Sequence, residues 1–263
     1  MLERLIISGA LCALLSFGAV AEVRTVDPDE LKLSSTQRRA TTLITKFLSR
    51  HHYRKMALDD HFSERLLERY LEALDPNRSY FLFEDIETFD VYRHKLDDLL
   101  RRARVELAFE IFKRFRSRAD ERIERAIAML DQPFDFTRPE IFEFDRSKSP
   151  WAKSAAELDE LWRLRVKNDV LSQRLAGKED PEIKKLLSER YNRLGLRVRQ
   201  LNADDVFQLF MSAYGRTIEP HTTYLSPRSS ENFRIRMSLS LQGIGDRKST
   251  RLNSSHSSVS RMP

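Results

Sequence analysis

From Gly18 to Gly177 the chain runs without a single glycine. Tight turns draw on glycine for left-handed backbone positions, so a turn-rich all-β fold does not suit so long a gap. What fills the gap has helical spacing. After Ser63, Leu67, Leu71 and Leu74 fall on one stripe with Leu66 and Tyr70 beside it, and Asp75-Pro76-Asn77 closes the segment. Glu84-Asp85 suits a new helix start. No proline or glycine then interrupts the chain up to Gln132. Ile86, Phe89, Tyr92, Leu96 and Leu99-Leu100 form one apolar face; Val105, Ala108, Ile111-Phe112 and Phe115 form another; Ile123, Ala126-Ile127 and Leu130 follow. This pattern predicts two or three helices with a bend at Arg101–Arg104, ended by Pro133.

The flanking segments extend the pattern. Ser34, Ser35 or Thr36 caps a first helix whose apolar face is expected to be Leu43, Ile44, Phe47 and Leu48. Residues 134–150 are irregular, with Phe134, Phe136, Ile141, Phe142 and Phe144 as packing anchors. Ser154 and Glu157 form a capping box ahead of Leu158, Leu161-Trp162, Val166, Val170-Leu171 and Leu175, with Gly177 at the end. Asp180-Pro181 starts the next helix, with Ile183, Leu186-Leu187, Tyr191, Leu194 and Leu196. Asn202 or Asp204 opens the last, with Val206, Phe207, Phe210, Met211 and Tyr214; Gly215 suits a left-handed closing residue. Beyond the Glu219-Pro220 turn, Phe233, Ile235, Met237, Leu239 and Leu241 alternate with polar residues, which predicts a half-buried strand. The fold class is mainly α, a multi-helix domain at 35–232 ending in a short strand.

Residues 1–21 read as a cleaved export signal: Arg4 is the charged flank, Leu5 to Phe17 the apolar region, and Ala19-Val20-Ala21 the cleavage site. Bulky Leu11 before Cys12, and the apolar residues after it, argue against a lipoprotein. Cleavage after Ala21 removes the sole cysteine, so neither thiol chemistry nor disulfides are expected. Residues 22–34 read as a polar, mobile lead. The formal charge is +6. Residues 246–263 hold +3 of it, and the remaining body mixes both signs, which fits a solvated helical surface and not a nucleic-acid groove.

Several constellations suggest chemistry and fail on spacing. His51-His52 with Asp59, Asp60 and His61 lacks metal-ligand periodicity and suits a helix end. His221 follows a proline in a turn, with no nucleophile placed beside it. Asp97-Asp98, Asp159-Glu160 and Asp204-Asp205 lie on helices among basic residues, and no two acids are placed across a cleft. G-x-S-x-G, H-E-x-x-H and phosphate-loop patterns are absent. No catalytic, cofactor or metal residue is therefore assigned. Leu74–Phe81 aligns without gaps on Ile218–Leu225, and Phe89 on Phe233. Duplication and convergent turn chemistry explain this echo equally well.

The I-E-P-H-T-T-Y-L-S-P segment (Ile218–Pro227) resembles the D-P-H-[ST]-x-Y-L motif of C-terminal processing serine peptidases, the tail-specific proteases, with Glu219 where aspartate is commoner. Met237–Gly245 resembles the beginning of their PDZ domain, and Asp145–Trp151 agrees as well. The resemblance runs over most of residues 35–245. It implies a helical platform before a PDZ domain whose start would be residues 233–245. It also implies protein substrates chosen by exposed C-termini, docking of periplasmic adaptor proteins, and a serine–lysine pair lying after the PDZ domain. No serine or lysine of this chain maps to that pair, so the chain itself is expected to be inactive, periplasmic, without cofactor and without a membrane span after signal cleavage. Residues 246–263 resemble a translated sequencing adapter and are expected to be a disordered, artefactual tail. The alternative is a free-standing periplasmic helical adaptor.

Overall fold

A computed structural model describes residues 25–238. The proposed signal and the 246–263 tail lie outside the described residues, as does the 239–245 part of the expected PDZ start. Among the described residues the chain is mainly helical, as expected, and has no strand. The helices are α1 (Ser35–His51), α2 (Asp60–Leu74), α3 (Phe83–Asp90), α4 (Leu96–Arg101), α5 (Glu106–Met129), α6 (Ala155–Leu175), α7 (Asp180–Arg199), α8 (Ala203–Ile218) and α9 (Pro227–Ser238).

Two cores share one wall. Alpha5, about 36 Å long at helical rise, packs Ala108 to Ala119 into a first core with α2, α4 and α8. Its later turns place Ile123 and Ala126 in a second core with Trp162, Val166 and Val170 of α6 and Ile183, Leu187 and Tyr191 of α7. In the first core, edge-on ring pairs Phe62–Tyr214 and Tyr70–Phe210 join α2 to α8, which run in opposite senses.

The caps follow sequence chemistry. Ser34 forms a capping box with Gln37, Asn202 one with Asp205, and Ser154 accepts from Glu157 N. The long uninterrupted run breaks into α3, α4 and α5, with the second break at the expected arginine-rich bend. There Arg104 N bonds Leu99 O and Ala103 N bonds Leu100 O, a paired closure that needs a left-handed residue. Ala103 supplies it at φ 52. The same closure after α6 uses Gly177 at φ 80, where no Cβ strain arises.

Five expectations need correction. The part of the lead at residues 25–34 is not loose: Leu31 is fully buried, Val26 N bonds Arg199 O, and Arg116 donates to Val26 O. Alpha1 is rotated from the expected face: Leu48 is buried and Ile44 packs on the first core as expected, but Gln37, Thr41 and Thr45 complete the inner side while Leu43 and Phe47 face outward. Polar partners explain this, because the Gln37 amide donates to Asp204 at 2.7 Å and the Thr41 hydroxyl to Gln37 O. Ile141 and Phe144 are exposed, with Phe144 meeting the Phe142 ring at 4.9 Å and no core, whereas Phe134 and Phe136 pack on the second core. Gly215 lies inside α8 and its φ is not positive. Finally, residues 233–238 belong to α9 and not to a strand. Their alternating residues find no neighbouring strand among the described residues, and a helix satisfies its own backbone groups without one.

The internal echo extends further than eight residues. Every buried residue of α2 (Phe62, Ser63, Leu66, Leu67, Tyr70, Leu71 and Leu74) corresponds, 144 positions on, to a buried residue of α8. Alpha3 and α9 begin at the same offset, at Phe83 and Pro227.

Candidate functional site

The turn after α8 is the segment that sequence singled out, and it folds back along the helix that precedes it. Glu219, largely buried, accepts from His221 N at 2.9 Å and from the Thr222 hydroxyl at 3.3 Å. The Ser212 hydroxyl donates to Tyr224 O at 3.0 Å, and Ser226 N donates to the Gln208 side chain at 2.8 Å. The Tyr224 ring meets Phe207 edge-on at 5.5 Å. Residues 208, 212 and 215 are spaced by about one helical turn each, so the returning chain lies along one stripe of α8. His52, at the end of α1, reaches the same turn, with its Nε2 3.0 Å from the Thr222 hydroxyl.

Gly215 makes this return possible. A Cβ built there would sit 2.8 Å from the Thr222 carbonyl oxygen. Gly215→Ala would otherwise gain about 1 kcal/mol of helix propensity. Here it is expected to destabilise by about 1–2 kcal/mol, because backbone and not a flexible tip must move. Urea denaturation of the full chain checks the sign, and a gain in stability would rule out the close approach.

The corresponding turn after α2 is built around Asp75. Its carboxylate accepts from Ser79 N and Tyr80 N at 2.8 Å and from Phe81 N at 3.1 Å. Burial pushes the Asp75 carboxyl up, and the three N–H donors oppose it. Phe83 N then bonds Ala152 O, pinning the 151–153 segment beside the turn. Pro227, at the matching position after α8, has no N–H to offer.

Beside the second turn runs a groove of about 520 Å³ between α2 and α8, lined by Arg69, Glu72, Leu209, Arg216 and Tyr224. A second, of about 610 Å³, lies between α6 and the 141–152 segment, over Phe142, Trp151 and Leu161. Neither holds a nucleophile paired with a base.

The sequence-selected candidates are held in structural work. Among the described residues, no group of histidines, cysteines and acids is gathered to hold a metal ion. Asp59 caps α2 through Phe62 N, Asp60 is exposed, and His61 approaches only Glu64. His221 is exposed and is held through its backbone N–H. Asp97 is buried against the Ser63 hydroxyl and Arg101, while Asp98 faces Arg101 and Arg102. Asp159 bridges Arg122 and Arg125, and Glu160 pairs with Arg163. Asp204 takes the Gln37 amide and Asp205 closes the α8 cap. No two of these carboxylates converge on a common cleft. Sequence reasoning missed the buried roles of Asp75 and Arg122, although an acid–proline turn followed by serine was a usable signal for the first.

One charged cluster sets a pH response. Glu140 ties the 134–150 segment to α6 through Arg163 and Lys167, which hold its carboxyl down to about 2 from the ordinary 4.5. A carboxyl depressed by folding binds its proton more weakly folded than unfolded, so its tether is complete above about pH 4.5. The tether is expected to be lost as pH falls through about 2. Carbon-detected NMR titration of Glu140 checks this, and a midpoint at the ordinary value would refute it.

A family model described as the tail-specific protease N-terminal domain matches residues 44–228. The tail-specific protease of Haemophilus influenzae is 37% identical over 240 residues, covering 90% of this chain and 34% of that relative. The chain thus spans about a third of that curated relative's length.

Proposed function

We propose a role for this chain from one premise: it belongs to the tail-specific protease family, through the N-terminal domain at residues 44–228. The role is that of the helical platform of an exported serine endopeptidase that trims or degrades proteins selected by their C-termini. The observation that carries it is the 37% identity spread over 90% of the chain. The turn at 219–226 supports it, because the segment that resembles the family motif is fastened to α8 and α1. A PDZ domain would begin near residue 233, after the turn, and the serine nucleophile and lysine base would follow it. The chain alone would then bind partners without cutting them, in the periplasm, after removal of residues 1–21. A periplasmic adaptor protein is a natural partner for such a platform. Among the described residues no helix is long and apolar enough to cross a membrane.

The purified chain is expected to leave a reporter protein with a free apolar C-terminus uncut, and to resist a fluorophosphonate that labels activated serines. Turnover or labelling that stays with the chain through purification would overturn the proposal. N-terminal sequencing of the exported chain is expected to begin at Glu22. Retention of Met1 in a cytoplasmic fraction would remove the export step.

A further inference from the structure

The rotated orientation of α1 leaves a face that packs on no other element among the described residues. Leu43 and Phe47, one turn apart, are 67% and 60% exposed, and Tyr53 just beyond the helix is 78% exposed. The charge around them is one-sided. Residues 31–58 hold seven lysines and arginines and no acid, so the rest of the chain carries 39 basic against 40 acidic side chains. Residues 31–58 thus carry a net +7 while the rest of the chain sums to −1, a local excess that the chain-wide +6 conceals. Arg38 is paired with Glu106, but Arg39, Lys46, Arg50 and Arg54 have no carboxylate partner among the described residues. Arg39, Lys46 and Arg50 are exposed along the same helix as the apolar pair.

We propose that this face of α1 docks an amphipathic helix with acidic flanks, supplied by a partner protein. Two apolar side chains at i and i+4 form a ridge along the helix axis, the shape that seats in the groove of another helix. Arg39, Lys46 and Arg50, at i, i+7 and i+11 on one stripe beside the ridge, ask for carboxylates on the incoming helix, and among the described residues no carboxylate pairs with them. A phosphate backbone would use the cations but has no use for an apolar ridge beside them. A bilayer would gain little from three apolar side chains, since interfacial binding scales with the apolar area inserted. The proposal does not depend on the proposed protease role.

The test uses the full chain and a fluorescent amphipathic peptide with leucines on one face and glutamates on the other. Saturable binding is expected, weakening with added salt. The double variant Leu43→Ser/Phe47→Ser should weaken it by about tenfold or more. Lys46→Glu/Arg50→Glu should abolish it and restore binding to a lysine version of the peptide. All four positions are exposed, and unchanged thermal melting confirms folding. Leu175→Ser, at an exposed leucine on α6, should leave binding unchanged. Binding that survives both double variants, or no saturable binding, overturns the proposal. So does loss, in the variants, of binding to anionic phosphatidylglycerol vesicles only, of binding to mixed DNA only, or of self-association only.

Discussion

Trp162→Ala is expected to destabilise the protein by about 3–5 kcal/mol, the range for emptying a buried aromatic site. Trp162 is fully buried at the centre of the second core. It packs edge-on against Tyr80 at 5.5 Å and Tyr191 at 6.3 Å, and the Arg165 guanidinium lies 4.5 Å from its ring centroid. Its indole N–H also donates to Ser79 O at 2.7 Å, inside the turn that Asp75 organises. Truncation therefore opens a cavity and removes the donor from a buried carbonyl, which adds about 1 kcal/mol. Trp162→Phe retains most of the packing and loses the hydrogen bond, so about 1–2 kcal/mol is expected. Urea denaturation separates the two variants. Trp151, the other tryptophan, remains as a fluorescence reporter next to the same turn. A cost below about 1.5 kcal/mol for the alanine variant would mean that the second core collapses around the gap.

Trp162 also shows what the sequence made legible. Its place on an apolar stripe identified a core residue, and the same logic located most of α2, α5, α7 and α8. Periodicity reports that a helix has an apolar stripe; it does not say what the helix packs against. Alpha1 exposes Leu43 and Phe47 because Gln37 finds Asp204 on the inner side, where Thr41 satisfies its hydroxyl on its own helix. The Thr45 and Tyr214 hydroxyls also meet there, buried but short of a well-formed hydrogen bond, and burial pushes Tyr214 up to about 12. Tertiary pairing of this kind leaves no local trace. At residues 233–238 the alternating pattern suggested a strand, but a strand needs a neighbour that the described residues do not provide. The turn at 219–226 was legible as chemistry, since acid, proline and aromatic stand in order. Its attachment to Gln208 and Ser212 was not, because those residues become neighbours only once α8 has formed. Buried Arg122 was invisible for a similar reason: an arginine among charged residues on a helix has the pattern of a solvated face.

Asp159→Ala is expected to cost about 3 kcal/mol, and more than removal of its buried partner, Arg122. The Arg122 side chain is 1% exposed and its Nε is buried without a hydrogen bond, while Asp159 and Glu121 are the carboxylates that face its other nitrogens. Those carboxylates keep partial access to water; the guanidinium does not. Deleting Asp159 thus leaves a desolvated cation with one acid beside it, and leaves Arg125 to share that same acid, Glu121. Arg122→Met instead removes the buried charge along with its desolvation cost, and keeps an unbranched apolar stem in the same space. Its expected cost is within about 1 kcal/mol of the parent. In the Arg122→Met background Asp159→Ala should cost less than about 1 kcal/mol, so a double-mutant cycle gives the coupling directly. If Arg122→Met proves the more damaging single change, the guanidinium contributes net stability to the second core. The ion pair would then be worth more than the cost of burying it.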